Sequence, residues 1–180
     1  MPIRGWFSVY QSPAWAVWLD MALVRILVDG YSLLHNWPEL ARGRARHSAA
    51  ARDELISRLT LYQDASGIPV TIFFDGSGLP GGKPIAASPA SVEVLYSCQG
   101  QTADDMIERA AHRFSPYGEV LAVTDDHAER DMVISLGGSV SSCWNFIQTV
   151  ESTLAELGDD LNSTTGESGL ATSGGSRERL

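Results

Sequence analysis

Only two cysteines, Cys98 and Cys143, occur in 180 residues. They form no CxxC pair and have no partners at zinc-ligand spacing, so neither a disulfide framework nor a zinc centre organises this chain. Two lone thiols fit a reducing cytosol, and a cytoplasmic location is the expectation. Long apolar runs are also missing. The most apolar N-terminal stretch, Ala14 to Leu19, is stopped by Asp20, far short of the ~20 residues that span a bilayer. No membrane partner is expected. Residues 1–20 hold one basic residue, Arg4, which makes a poor secretory signal. Positive charge is scarce, with 13 Lys and Arg against 22 Asp and Glu and a net charge of −9. That argues against a general polyanion-binding surface and leaves room for a local basic patch. A glycine-rich phosphate loop is absent, so P-loop hydrolysis and a nucleotide cofactor have no support.

What is present is an alternation of short apolar runs with helical periodicity. Strands are predicted at Val24–Val28, Pro69–Phe74, Ser91–Ser97, Glu119–Thr124 and Ser139–Cys143. Between them, Tyr31–Asn36 reads as a short helix interrupted by Trp37-Pro38, because proline disfavours helical backbone in the residue before it. Ser48 caps a longer helix whose Ala51, Leu55, Ile56, Leu59 and Tyr62 recur at three and four residues, and Gly67 ends it. Another helix opens at Thr102, and a further one runs from about His127 to Leu136 before Gly137-Gly138. The last ends near Leu157. This order predicts an α/β fold, a mainly parallel sheet with helices on both faces. Residues 1–20 read as an extension outside the domain of residues 21–157. Gly76–Pro89 reads as an exposed loop, and residues 158–180, poor in large apolar side chains, as a disordered tail.

Four of the strands end on, or lead into, acids: Asp29, Asp75, the pair Asp104-Asp105 and the pair Asp125-Asp126. A parallel sheet gathers the carboxyl ends of its strands along one edge, where ligands of open α/β sheets bind. Carboxylates gathered there repel one another unless a cation lies among them, and hard oxygen donors suit Mg²⁺ or Mn²⁺. Plainer roles compete. Asp29-Gly30 and Asp75-Gly76 are also turn pairs. Thr102 with Asp105 has the form of a capping box. Either Asp125 or Asp126 caps the helix after it, with Glu129 in the capping-box position behind Asp126. Asp104, three, four and seven residues before Ile107, Glu108 and Ala111, lies near the core-facing stripe, where a carboxylate needs a partner.

Ile26-Leu27-Val28-Asp29-Gly30-Tyr31, Trp37-Pro38-Glu39-Leu40, Phe73-Phe74-Asp75-Gly76, Thr102-Ala103-Asp104-Asp105-Met106-Ile107-Glu108 and Val123-Thr124-Asp125-Asp126 occur in that order. Together they resemble the YacP-like NYN domain family, PIN-like metal-dependent endoribonucleases, some associated with translating ribosomes. The resemblance covers roughly Leu23 to Glu151. It implies a PIN-like (NYN) three-layer α/β/α fold and an acidic catalytic set of Asp29, Asp75, Asp104, Asp105 and Asp126. Asp29, Asp104 and Asp126 are the metal ligands in this reading. The family usually has Asn at the position of Ser32, which here joins the expected RNA contacts.

Arg42, Arg44, Arg46, Arg52 and Arg58, five of the thirteen Lys and Arg residues, fall in one segment that also holds His47. Arginine matches phosphate geometry, so Arg42, Arg44 and Arg46 are expected to contact RNA. Arg52 and Arg58 can equally pair with Asp53 and Glu54. The leading expectation is an endoribonuclease that hydrolyses RNA phosphodiesters with Mg²⁺ or Mn²⁺, with RNA and the ribosome as partners. The alternative is a non-catalytic RNA- or ribosome-binding module on the same fold. An aspartyl-nucleophile phosphatase is disfavoured, since its second Asp, two residues after the first, is here Tyr31.

Overall fold

The computed structural model describes residues 22–76, 92–98 and 100–167. Five strands, β1 (Leu23–Asp29), β2 (Val70–Phe74), β3 (Glu93–Tyr96), β4 (Glu119–Val123) and β5 (Ser139–Ser141), form one sheet in the order β3-β2-β1-β4-β5. Every pairing is parallel. The helices are α1 (Gly30–Asn36), α2 (Ala49–Ser66), α3 (Ala103–Phe114), α4 (His127–Ser135) and α5 (Cys143–Glu167), with 3-10 turns at Pro38–Ala41 and Ser115–Tyr117.

The apolar runs are continuous because both faces of the sheet are covered. Alternation along each strand divides them between two cores. Ile26, Val28, Val70, Ile72, Phe74, Val94 and Val123 pack with residues of α1, α2 and α5 on one face. Leu27, Phe73, Val120 and Ala122 pack with Ala103, Ile107 and Ala111 of α3 and Val133 of α4 on the other. The result is the expected three-layer α/β/α arrangement.

The caps are those the residue types predict. Ser48 accepts the Ala51 N–H at the start of α2, and Gly67, at φ 71°, closes it in the left-handed region that glycine enters freely. Thr102 and Asp105 make a complete capping box.

Most boundaries lie within a residue of expectation, and three differ by more. Strand β5 stops at Ser141, so that Cys143 opens α5 instead of ending the strand. Strand β3 is shorter than Ser91–Ser97. Helix α5 continues ten residues past Leu157, to Glu167, so a disordered tail does not begin at Gly158. Gly, Asn and Ser cost at most about 1 kcal/mol each inside a helix, and no proline interrupts this stretch, so an established helix propagates through it. Residues 1–20, the rest of the expected tail from 168, and most of the expected loop at 76–89 lie outside the described residues. Among the described residues no helix is long and apolar enough to cross a membrane.

Candidate active site

The strand order fixes where the site sits. From β1 the chain moves to β2 and β3 on one side, then returns to β4 on the other. The order therefore reverses between β1 and β4, and the edge outside their carboxyl ends is where open α/β sheets bind ligands. Asp29 is the last residue of β1, pairs in register with Phe73 of β2, and lies one step beyond the Val28–Val123 pair of β4. Asp75 follows β2 directly, and Asp126 stands three residues beyond β4. Helix α3 packs across β1, β2 and β4 and brings Asp104 and Asp105 in its first turn.

Each acid has a local anchor, except one. Asp29 caps α1, its Oδ1 accepting the N–H groups of Tyr31 and Ser32, both at 3.1 Å. Asp126 caps α4 in the same way, with Oδ1 accepting from Ala128 at 2.8 Å and Glu129 at 3.2 Å. Asp126, not Asp125, is therefore the cap. Asp125 instead ties two elements, its Oδ1 accepting the Cys143 N–H that opens α5 and its Oδ2 accepting Asn36 Nδ2 from α1. Asp75 Oδ1 accepts the Ser97 hydroxyl at 2.7 Å. Asp105 Oδ2 accepts the Thr102 N–H at 3.1 Å as its half of the capping box. Asp104 has no hydrogen bond from its side chain among the described residues. Capping and ligand binding are compatible here, because the oxygen that caps leaves its twin Oδ2 free for another partner.

The electrostatics tie the acids into one group. The pKa of Asp29 is raised, first by burial and then by the charge of Asp104, while the Ser32 and Tyr31 amides and the Ser32 hydroxyl pull it back down. That of Asp104 is raised by desolvation and by the charges of Asp126, Asp75 and Asp105. All five predicted acids thus share the edge. The side chain of Asp104, however, is exposed. The core stripe of α3 is Ala103, Ile107 and Ala111, one position away. The reason is angular: at 100° per residue a shift of one position moves a side chain off the buried stripe.

Spacing alone misses one residue. Glu129, in the first turn of α4, is 3% exposed, and neither carboxylate oxygen has a hydrogen-bond partner of normal geometry. Burial pushes its pKa up to about 7; the nearby Thr124 hydroxyl softens the effect, and the charges of Asp29, Asp104 and Asp126 add to it. The spacing Asp126-x-x-Glu129 hints only at a capping box. That box does not form, since the Asp126 N–H donates to the Thr124 hydroxyl instead.

The two glycines after Asp29 and Asp75 are explained by close approach. A Cβ on Gly30 would run into the Phe74 ring, and one on Gly76 into the Ser97 carbonyl. Ser32 sits on α1, close enough to Asp29 for its hydroxyl to stabilise that carboxylate.

The arginines are spread more widely. Arg42 and Arg44 line a surface hollow with Glu39, Glu54 and Arg58, which contains none of the edge acids. Arg46 donates to the His35 carbonyl at the far end of α1. Two basic residues gather on Tyr31, two positions after Asp29: His47, whose ring lies 4.8 Å from that of Tyr31, and Arg52, which reaches the Tyr31 hydroxyl and the His47 carbonyl. Arg58 pairs with Glu54 at 3.7 Å and lies over the Trp37 ring.

Comparison with known proteins agrees with this architecture. YacP of Bacillus subtilis (strain 168) is 30% identical over 127 residues, which is 70% of this chain and 74% of that protein. The crystal structure of Rae1 (YacP) from Bacillus subtilis superposes with a TM-score of 0.68 at 26% identity, covering 82% of this chain and 84% of the other. A crystal structure of a point mutant of the same Bacillus subtilis protein gives 0.66, also at 26% identity, over 78% and 82%. The YacP-like NYN domain matches residues 26–173. With a nuclease-like fold, an acidic edge at the β1/β4 switch point and this match over most of its length, the chain belongs to the YacP-like NYN domain family.

Proposed function

We propose that this chain is a metal-dependent endoribonuclease that hydrolyses RNA phosphodiester bonds at the β1/β4 edge. The observation that carries the reading is the gathering of six carboxylates from four segments of chain at one sheet edge, with the pKa values of Asp29, Asp104 and Glu129 all raised. Such a group is electrostatically costly on its own account, and a cation offsets that cost.

The donor set fits Mg²⁺ or Mn²⁺. Every available ligand is a hard oxygen, and the two oxygens of Glu129 are buried without a hydrogen bond of normal geometry. Among the described residues no three Asp, Glu, His or Cys side chains converge closely enough to enclose an ion. Mg²⁺ does not require that, since it keeps several waters and takes one or two carboxylates. Asp29, Asp104 and Asp126 are the residues that would hold it, one or two directly and the rest through its waters. When bound, such an ion supplies charge neutralisation at the phosphodiester and lowers the pKa of a coordinated water.

The chain's own groups do the rest. The caps on α1 and α4 fix Asp29 and Asp126 in orientation, Ser97 fixes Asp75, and the Thr102 box fixes Asp105. Asp75 and Asp105 contribute negative field that strengthens cation binding. Arg42, Arg44 and Arg46 meet RNA phosphates beyond the acidic edge, with Arg52 and His47 gathered on Tyr31, and Ser32 supports Asp29 from α1. RNA is the substrate, and the ribosome is the assembly on which the chain would meet it.

The test is RNA cleavage with and without Mn²⁺. Wild type should show Mn²⁺-stimulated cleavage, and Asp29→Asn and Asp104→Asn should lose it. Equal residual cleavage in both variants would place the activity elsewhere. Co-sedimentation with ribosomes without any metal-dependent cleavage would favour the binding-module reading instead.

A further inference from the structure

Glu129 is a costly residue unless something answers it. A carboxylate that is 3% exposed, with neither oxygen in a hydrogen bond of normal geometry and only the nearby Thr124 hydroxyl to soften its burial, loses its hydration for little return. The helix that carries it begins at Asp126, whose Oδ1 holds the Glu129 N–H, so Glu129 is rigidly placed one turn behind an acid of the edge. The charges acting on it are those of Asp29, Asp104 and Asp126, the same three residues proposed to hold the cation. No arginine, lysine or histidine lies within ion-pair distance of it among the described residues. The buried group either holds its proton or, when ionised, needs a partner that offsets burial and the repulsion of three acids together, and a cation is the partner that does both.

We propose that Glu129 belongs to the divalent-cation site, where its buried carboxylate would take the ion directly or through one water, together with Asp29, Asp104 and Asp126. The inference rests on the metal-dependent reading above and adds a residue to it. Asp104 and Asp126 are exposed, so their oxygens compete with solvent. Glu129 is the ligand already stripped of water, and its desolvation cost does not have to be met again when the ion arrives. It would therefore set affinity, while the exposed acids would govern access.

The experiment is Mn²⁺ binding to the full chain, read by electron paramagnetic resonance and by the Mn²⁺-induced rise in melting temperature, with no RNA present. Wild type should show one site tighter than the general association of Mn²⁺ with an acidic surface. Glu129→Gln should weaken that site by about 10- to 100-fold and abolish most of the melting-temperature rise, while circular dichroism and melting without metal show an intact fold. Glu129→Met, which fills the volume without a polar group, should do the same and guards against failure of the glutamine variant to fold. If wild type binds Mn²⁺ tightly and both variants match it within twofold, the assignment of Glu129 falls and the metal-dependent reading stands. If wild type shows no site tighter than the surface background, both fall.

Discussion

The buried Glu129 makes the stability of the metal-free protein depend on pH in a way that one substitution removes. Its pKa is about 7 in the folded chain against 4.5 when unfolded. The folded state therefore holds the proton more tightly than the unfolded state does. Below pH 4.5 both states are protonated and the group costs nothing. As pH rises toward 7 the unfolded chain releases the proton first, and stability falls until the folded carboxyl also ionises. Each tenfold difference in proton affinity is worth about 1.4 kcal/mol. The full loss is then about 3 kcal/mol, most of which accrues between about pH 5 and pH 8. Asp29 and Asp104, whose pKa values are also raised, act with the same sign, and because their charges help raise Glu129 the difference between wild type and variant reads the coupled group. The perturbation is Glu129→Gln and the assay is urea unfolding in EDTA at four values from about pH 5 to pH 8. The variant should gain on wild type by about 2–3 kcal/mol across that range, a relative shift of roughly 5–10 °C in melting temperature for a domain of this size. A stability gap that stays constant over that range would refute the argument, since it would mean that Glu129 titrates alike in the folded and unfolded chains.

Two other outcomes follow from local geometry. Gly76→Ala should destabilise the domain by about 1–3 kcal/mol in urea unfolding, because its Cβ would strike the Ser97 carbonyl and disturb the residue whose hydroxyl anchors Asp75; an unchanged midpoint would show that this contact is soft. Of the two thiols, Cys98 is exposed and Cys143 is buried, with burial and the charge of Asp125 pushing the Cys143 pKa up to about 12. A thiol reagent at about pH 8 should therefore label Cys98 quickly and Cys143 only after denaturant is added, and rapid labelling of both in the folded protein would contradict the packing of α5 against α1.

Much of this protein is legible in its sequence. Short apolar runs, separated by capped helical periodicity, determine a parallel sheet covered on both faces, because only helices on both sides can bury strands such as Val70–Phe74 throughout. The caps at Ser48, Thr102 and Gly67 follow from short-range hydrogen-bond chemistry that needs no tertiary context. The acids at the strand ends are visible for the same reason, since strand ends and helix starts are local features. Three decisions belong to the tertiary structure. Only the strand order shows that β1 and β4 flank the point of reversal, and so which acids meet. Only packing separates Asp126, the cap, from Asp125, the tie to α5, because adjacent acids have identical local chemistry. And only burial distinguishes Glu129 from an ordinary capping glutamate, since its desolvation and the charges that act on it arise from residues distant in the chain, Asp29 and Asp104 among them, which a spacing of three residues cannot reveal.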